Sequence, residues 1–215
     1  MPAVSLTALS RPPLRDPLKP KDVARIFNDA VVVVQTPTSD GTGFFVGEGG
    51  YVLTSAHVLS ALGEPVVKYR VMKAGKLEAV RARARVVRLD EASGLALLRI
   101  ATANRPPVVS LGNSRLVEAG EEVVIIGHPG LDQDTLDYTL TTGVVSKPRQ
   151  LVEKRQYVHT NAAINPGSSG SPLFDSRGNV IGMVMLKGEI EGAGFAVPAD
   201  DLRTFLQSCT KKAGN

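Results

Sequence analysis

The segment Asn165-Pro166-Gly167-Ser168-Ser169-Gly170-Ser171-Pro172 sets serine hydroxyls in a turn bracketed by glycine and proline. Glycines flanking this pair allow backbone angles that a Cβ would forbid, which turns the Ser169 hydroxyl outward. The same turn is expected to aim the amide N–H groups of Gly167, Ser168 and Ser169 at one point, where an oxyanion would be stabilised. A serine hydroxyl is a weak nucleophile at neutral pH and needs a neighbouring base to take its proton. Far upstream, Gly49-Gly50-Tyr51-Val52-Leu53-Thr54-Ser55-Ala56-His57-Val58 ends an apolar run in small residues and then presents a histidine. An imidazole titrates near neutral pH and suits that work. Taken singly, the first segment also reads as a connecting loop and His57 as a structural histidine. Taken together, they suggest acyl transfer.

Several segments, in order, resemble a trypsin-like serine protease, and most closely the protease domain of the HtrA/Deg group. Gly41-Thr42-Gly43-Phe44-Phe45-Val46 resembles that group's first barrel strand, and Thr54-Ser55-Ala56-His57 its histidine motif. Gly127-His128-Pro129-Gly130 is similar to the turn after a second-barrel strand, and Thr141-Thr142-Gly143-Val144-Val145-Ser146 to a T-x-G-V-V-S strand. Ala162 to Leu173 resembles the nucleophile motif, and Gly194-Phe195-Ala196-Val197-Pro198 closes the series. The likeness runs from about Val23 to Leu206, and the ordered set is more specific than any one motif. It implies a serine endopeptidase that acts on polypeptides, with His57 and Ser169 catalytic and no cofactor.

One position departs from the pattern. The family's acid stands directly before an apolar strand; here that strand is Leu95-Ala96-Leu97-Leu98-Arg99-Ile100 and the residue before it is Gly94. Recruiting Asp90 or Glu91 by sliding the register would misplace the apolar run. In such triads the carboxylate fixes the imidazole tautomer, and replacing it by an amide costs about 10⁴-fold in turnover, about 5.4 kcal/mol of barrier. Three accounts stay open. Another carboxylate such as Asp90, or a water, orients His57; the chain is a pseudoprotease that binds peptides or proteins; or Gly94 is a substitution.

These groups need a scaffold. The chain has 215 residues, 43% hydrophobic and 21% charged, as expected of a globular protein. No apolar run approaches the roughly 18 residues of a membrane span. The start shows no basic and apolar secretory signal, so cytoplasmic residence is expected. A single cysteine, Cys209, excludes an internal disulfide framework, and the three histidines show no metal-ligand spacing. Residues 1–20 are expected to form a mobile tail, with a helix at Lys21–Asn28 on the spacing of Val23, Ile26 and Phe27.

Short strands divided by turn residues follow: Val31–Val34, Phe44–Val46, Tyr51–Thr54, Val66–Met72, Val80–Arg88 and Leu95–Ile100, then Val123–Ile126, Tyr138–Ser146, Tyr157–Thr160, Val180–Met185 and Gly194–Val197. Such a series indicates an all-β barrel or sandwich. The resemblance selects two six-stranded β-barrels with short N- and C-terminal helices and the site in the crevice between them. The peptidase domain would span 21–209: a first barrel at about 30–112, a second at about 118–198, and a helix at about 199–208 before a tail at 210–215. HtrA proteins continue into a PDZ domain, whereas this sequence ends at Asn215, so regulation through such a domain is not expected.

By position, the resemblance puts Ala163 at the base of the specificity pocket, with Ile164 beside it and Gly192 and Gly194 bordering it. An uncharged pocket gives a basic side chain no partner, so cleavage after a small or medium aliphatic residue is expected. Ser168 replaces the acid through which digestive relatives are activated, which leaves loop order as the regulator. The candidate loops are 187–192 and 130–134. Net charge is +4, and Arg81, Arg83 and Arg85 alternate along one strand. Without an aromatic stacking platform they read as a solvated face, and no nucleic-acid partner is expected. The oligomeric state, monomer or trimer, stays open, since the tail holds no aromatic residue before Phe27.

Overall fold

A computed structural model describes residues 16–59, 63–102, 105–128, 138–185 and 194–211. The first half carries a helix α1 (Pro20–Phe27) and strands β1 (Val31–Gln35), β2 (Asp40–Phe45), β3 (Tyr51–Ser55), β4 (Val66–Lys73), β5 (Lys76–Asp90) and β6 (Leu95–Ile100). These close into a barrel in the order β1-β2-β3-β6-β5-β4, with β4 returning to β1. The second half carries β7 (Ser110–Leu111), β8 (Glu122–Gly127), β9 (Thr139–Val152), β10 (Arg155–Thr160), β11 (Pro172–Asp175), β12 (Asn179–Met185), β13 (Gly194–Pro198) and helix α2 (Ala199–Lys211). Strands β11-β8-β9-β10-β13-β12 form a second six-stranded ring, shut by the β11–β12 pair, and β7 lies parallel to β12 outside it. The fold is the expected double barrel.

Side-chain alternation along each strand divides the apolar residues among three cores. Val32 and Val34 of β1, and Leu98 and Ile100 of β6, fill the first barrel. Val123 and Ile125 of β8 fill the second. The intervening residues, Val31, Leu95, Leu97, Val124 and Ile126, meet in a third cluster between the barrels. Strands covered on both faces read as unbroken apolar runs such as Val31–Val34, which is why their type was legible but their two faces were not.

Both helices brace this seam. Pro20 opens α1 at a position where its fixed φ helps and its missing N–H costs nothing. Phe27 then stacks on Phe174 of β11, ring centroids 4.9 Å apart. Helix α2 buries Leu202, Phe205 and Leu206 against the same cluster. Its first turn carries Asp200 and Asp201, which suits the helix dipole. Asp200 accepts from Ser114 Oγ at 2.9 Å, and Arg203 donates to the carbonyls of Leu111 (3.1 Å) and Gly112 (2.9 Å). The segment joining the barrels is thus tied to α2.

Two strands escaped the sequence reading. β7 has two residues and no pattern to detect. β11 opens on Pro172 inside the nucleophile motif, where proline and glycine argue for a turn, and only the second barrel's closure makes it a strand. Strands β5 and β9 run longer than expected, at 15 and 14 residues, as extended hairpin arms with exposed outer faces. Of the expected mobile tail, residues 1–15 lie outside the described residues, and Leu18 is anchored by its N–H to the Ser176 carbonyl at 2.6 Å.

Tyr138 adds a polar tie across the seam. Its hydroxyl donates to the Val31 carbonyl at 3.2 Å, and Arg70 stacks over its ring at 4.6 Å. Burial pushes its pKa up to about 12, against the opposing pull of Arg70. Folding thus favours the protonated phenol: the tie is fully present below the unfolded value near 10 and is lost as pH rises through the folded one. Stability should therefore fall between pH 10 and 12 by up to about 3 kcal/mol from this group. Tyr138→Phe should flatten that fall in denaturant unfolding across the same range.

Candidate active site

The seam is closed by Thr42 of β2. Its N–H donates to the Ser169 carbonyl at 2.9 Å, and its Oγ1 donates to the Gly167 carbonyl at 2.7 Å. The same Oγ1 accepts from the His128 N–H at 2.9 Å, and the Thr42 carbonyl accepts from Thr54 Oγ1 at 2.7 Å. A fully buried threonine on the first barrel thus holds the nucleophile turn of the second at two of its carbonyls. Next to it, Gly41 lies between the halves of the site: a Cβ there would run into Val58 Cγ2 and sit 3.2 Å from the Ser169 carbonyl. Val58 directly follows His57. The space beside one glycine is thus bounded by both Val58, next to His57, and the serine turn.

Ser169 sits deeper than its turn suggested, with 6% of its surface exposed. The turn is pinned on both sides, since the next amide, Gly170 N–H, donates to the Val184 carbonyl at 2.8 Å. Gly170 has φ +88°, and a Cβ there would strike the Thr42 carbonyl, so glycine is required. His57 lies in a short 3-10 turn (Ala56–Leu59) after β3 and is exposed.

The oxyanion expectation needs one correction. The Ser168 N–H donates to the Asn165 carbonyl at 3.0 Å, closing a turn within the motif, so it does not face an oxyanion. Of the expected trio, Gly167 (φ +87°) and Ser169 remain for that role. The motif carries glycines for such a turn, but which amide closes it was not legible from residue types.

Gly94 stands next to the histidine segment. Its carbonyl accepts from the Ala56 N–H at 3.0 Å, and Ser55 pairs with Leu95. Asp90 is committed elsewhere: Oδ1 accepts from the Ser93 N–H at 3.1 Å, and Oδ2 lies 4.0 Å from Arg88. It shapes the turn leading to Gly94.

Three of the four expected specificity-pocket residues are described. Ala163 is exposed, and its carbonyl accepts from Thr141 Oγ1 at 3.0 Å. Ile164 packs on the second-barrel core. The space left by Gly194 is already taken, since a Cβ there would lie 2.7 Å from Ile164 Cδ1. Gly192 and both candidate loops, 187–192 and 130–134, lie wholly or almost wholly outside the described residues. Among the described residues, no group of three or more His, Cys, Asp or Glu side chains is placed to hold a metal ion.

The family model "Trypsin-like peptidase domain" matches residues 41–183, a stretch holding both His57 and Ser169. The chain belongs to the trypsin-like peptidase family. Within the family it is similar to the HtrA proteases. It is 36% identical over 179 residues to Serine protease HTRA1 of Xenopus tropicalis, which covers 80% of this chain and 36% of that protein. It is 36% identical over 185 residues to mitochondrial Serine protease HTRA2 of Bos taurus, covering 83% and 38%. The protein named "Probable periplasmic serine endoprotease DegP-like" of Hahella chejuensis is 38% identical over 173 residues, covering 77% and 34%. This trypsin-like peptidase domain spans little more than a third of the length of these curated relatives.

The part of the site not foreseen is Thr42. The Gly41–Val46 segment was recognised as a motif, yet nothing in its residue types said that the threonine would hold the other barrel. Thr42→Val should orphan the Gly167 carbonyl and the His128 N–H, destabilising the domain by about 2–4 kcal/mol in denaturant unfolding. Thr42→Ser, which keeps both bonds, should lose about 1 kcal/mol or less.

Proposed function

We propose that this domain is a serine endopeptidase working through Ser169 and His57 without a carboxylate at position 94. The observation that carries the reading is the Thr42–Gly41 seam, which sets the histidine segment against the serine turn. In the reaction, the Ser169 hydroxyl oxygen bonds to the scissile carbonyl carbon as His57 takes the hydroxyl proton. The C–N bond then breaks, and His57 returns that proton to the leaving amine. Water, deprotonated by His57, then attacks the acyl carbon; the ester bond to Ser169 breaks, and His57 returns the proton to the Ser169 oxygen. The Gly167 and Ser169 amides stabilise the oxyanion in both halves. Glycine at position 94 offers the imidazolium no carboxylate from that residue, so turnover should be slow, up to about 10⁴-fold below a full triad. Apolar Ile164 beside the turn supports preference for a small or medium aliphatic residue before the scissile bond.

Gly94 also favours a second reading, in which the cleft binds peptides without cutting them. A fluorophosphonate probe separates the two. Labelling that disappears on Ser169→Ala supports the peptidase, and its absence under every condition supports the binder. For a labelled enzyme, a peptide library should give higher kcat/KM with Ala or Val than with Lys or Arg before the cut, by about tenfold or more.

A further inference from the structure

The acid position is not simply vacant. Gly94 has φ +70°, and a Cβ built on it would lie 2.6 Å from Met185 Cε and 3.2 Å from Met185 Sδ. Met185 is the last residue of β12; its backbone pairs with Phe195, and its side chain packs against the cluster between the barrels. The Gly94 backbone has little room to yield. Its N–H donates to the Glu91 carbonyl at 3.1 Å, and its carbonyl accepts from Ala56. The turn before it is held from the second barrel by Arg155, which donates to the carbonyls of Ala92 (2.9 Å) and Ser93 (3.0 Å). Any side chain at position 94 must therefore displace the thioether.

We propose that Met185 sets the character of the acid slot: its thioether occupies the side-chain space of position 94, so the slot beside the histidine segment holds an apolar group. This rests on reading Gly94 as the acid position. Position 185, together with 94, then decides whether His57 gains a carboxylate partner. A carboxylate introduced at 94 alone would face a methyl group that cannot hydrogen-bond it, or would have to drive Met185 out of its packing. Aspartate tolerates the left-handed conformation better than most side chains, so backbone strain alone does not forbid it.

The test is a double-mutant cycle of wild type, Gly94→Asp, Met185→Ala and the pair, read in two ways. The first readout is the rate of fluorophosphonate labelling of Ser169. The single variants should each change it by about threefold or less, and the pair should exceed the product of the singles by about 30-fold or more. The second is the His57 titration by NMR in a Ser169→Ala background, which needs no activity. Its midpoint should rise by about one pH unit or more in the pair and by much less in either single variant, since an adjacent carboxylate favours the imidazolium. Gly94→Asn with Met185→Ala, equal in size but uncharged, should leave the midpoint unmoved.

Full gain from Gly94→Asp alone, or a pair no better than the product of its parts in both readouts, overturns the proposal. If no variant labels yet the paired titration shift appears, the peptidase reading fails and the role of Met185 stands. A stability cycle covers variants that fold poorly. Gly94→Ala should lower Tm by several degrees, about 4 °C or more, and by clearly less once Met185 is Ala. Equal losses in the two backgrounds would show that the side chains do not compete.

Discussion

Thr42 meets four hydrogen-bonding demands at once, and the site exists because it does. Its backbone N–H and hydroxyl hold two carbonyls of the nucleophile turn, its hydroxyl receives the His128 amide, and its own carbonyl receives Thr54. A backbone donor alone would align one carbonyl and leave the turn free to pivot. Two bonds from a single buried residue fix both position and rotation. Because Thr54 lies three residues before His57, the segment that carries the histidine is tied to the residue that holds the serine turn.

That arrangement holds whatever residue stands at position 94. The arrangement is built from backbone groups, two threonine hydroxyls and glycines that permit close approach, none of which involves the residue at position 94. A glycine there leaves the barrels docked through the same contacts. The apolar filling by Met185 matters for the same reason: a void beside Gly94 would forfeit packing, whereas a thioether adapts to an irregular gap.

Much of this was legible in the residues, and the limits have physical causes. The strands were visible because valine and leucine runs bounded by glycine and proline suit little else, and the two barrels followed from the ordered motifs. The reading that pairs His57 with Ser169, 112 positions apart, rests on chemistry and resemblance together. What stayed hidden were contacts decided by three-dimensional closure. Ser168 looks like a third oxyanion amide until the turn folds back on Asn165. Gly194 looks like open space until Ile164 fills it. Met185 reads as a core residue of β12, and nothing in the chain says that it ends beside a glycine 91 positions earlier. Local spacing encodes local geometry, whereas side-chain competition across a seam appears only when both strands are placed.

Helix α2 touches both halves of the molecule. It packs on β12 and β13, approaches β6, sets Phe205 beneath the Arg88 guanidinium at 5.7 Å, and ties the connecting segment through Arg203. It therefore behaves as a strut across a pair of jaws. Unwinding from its C-terminal end would release Leu206 and Phe205 from the shared cluster before it reached the Arg203 contacts.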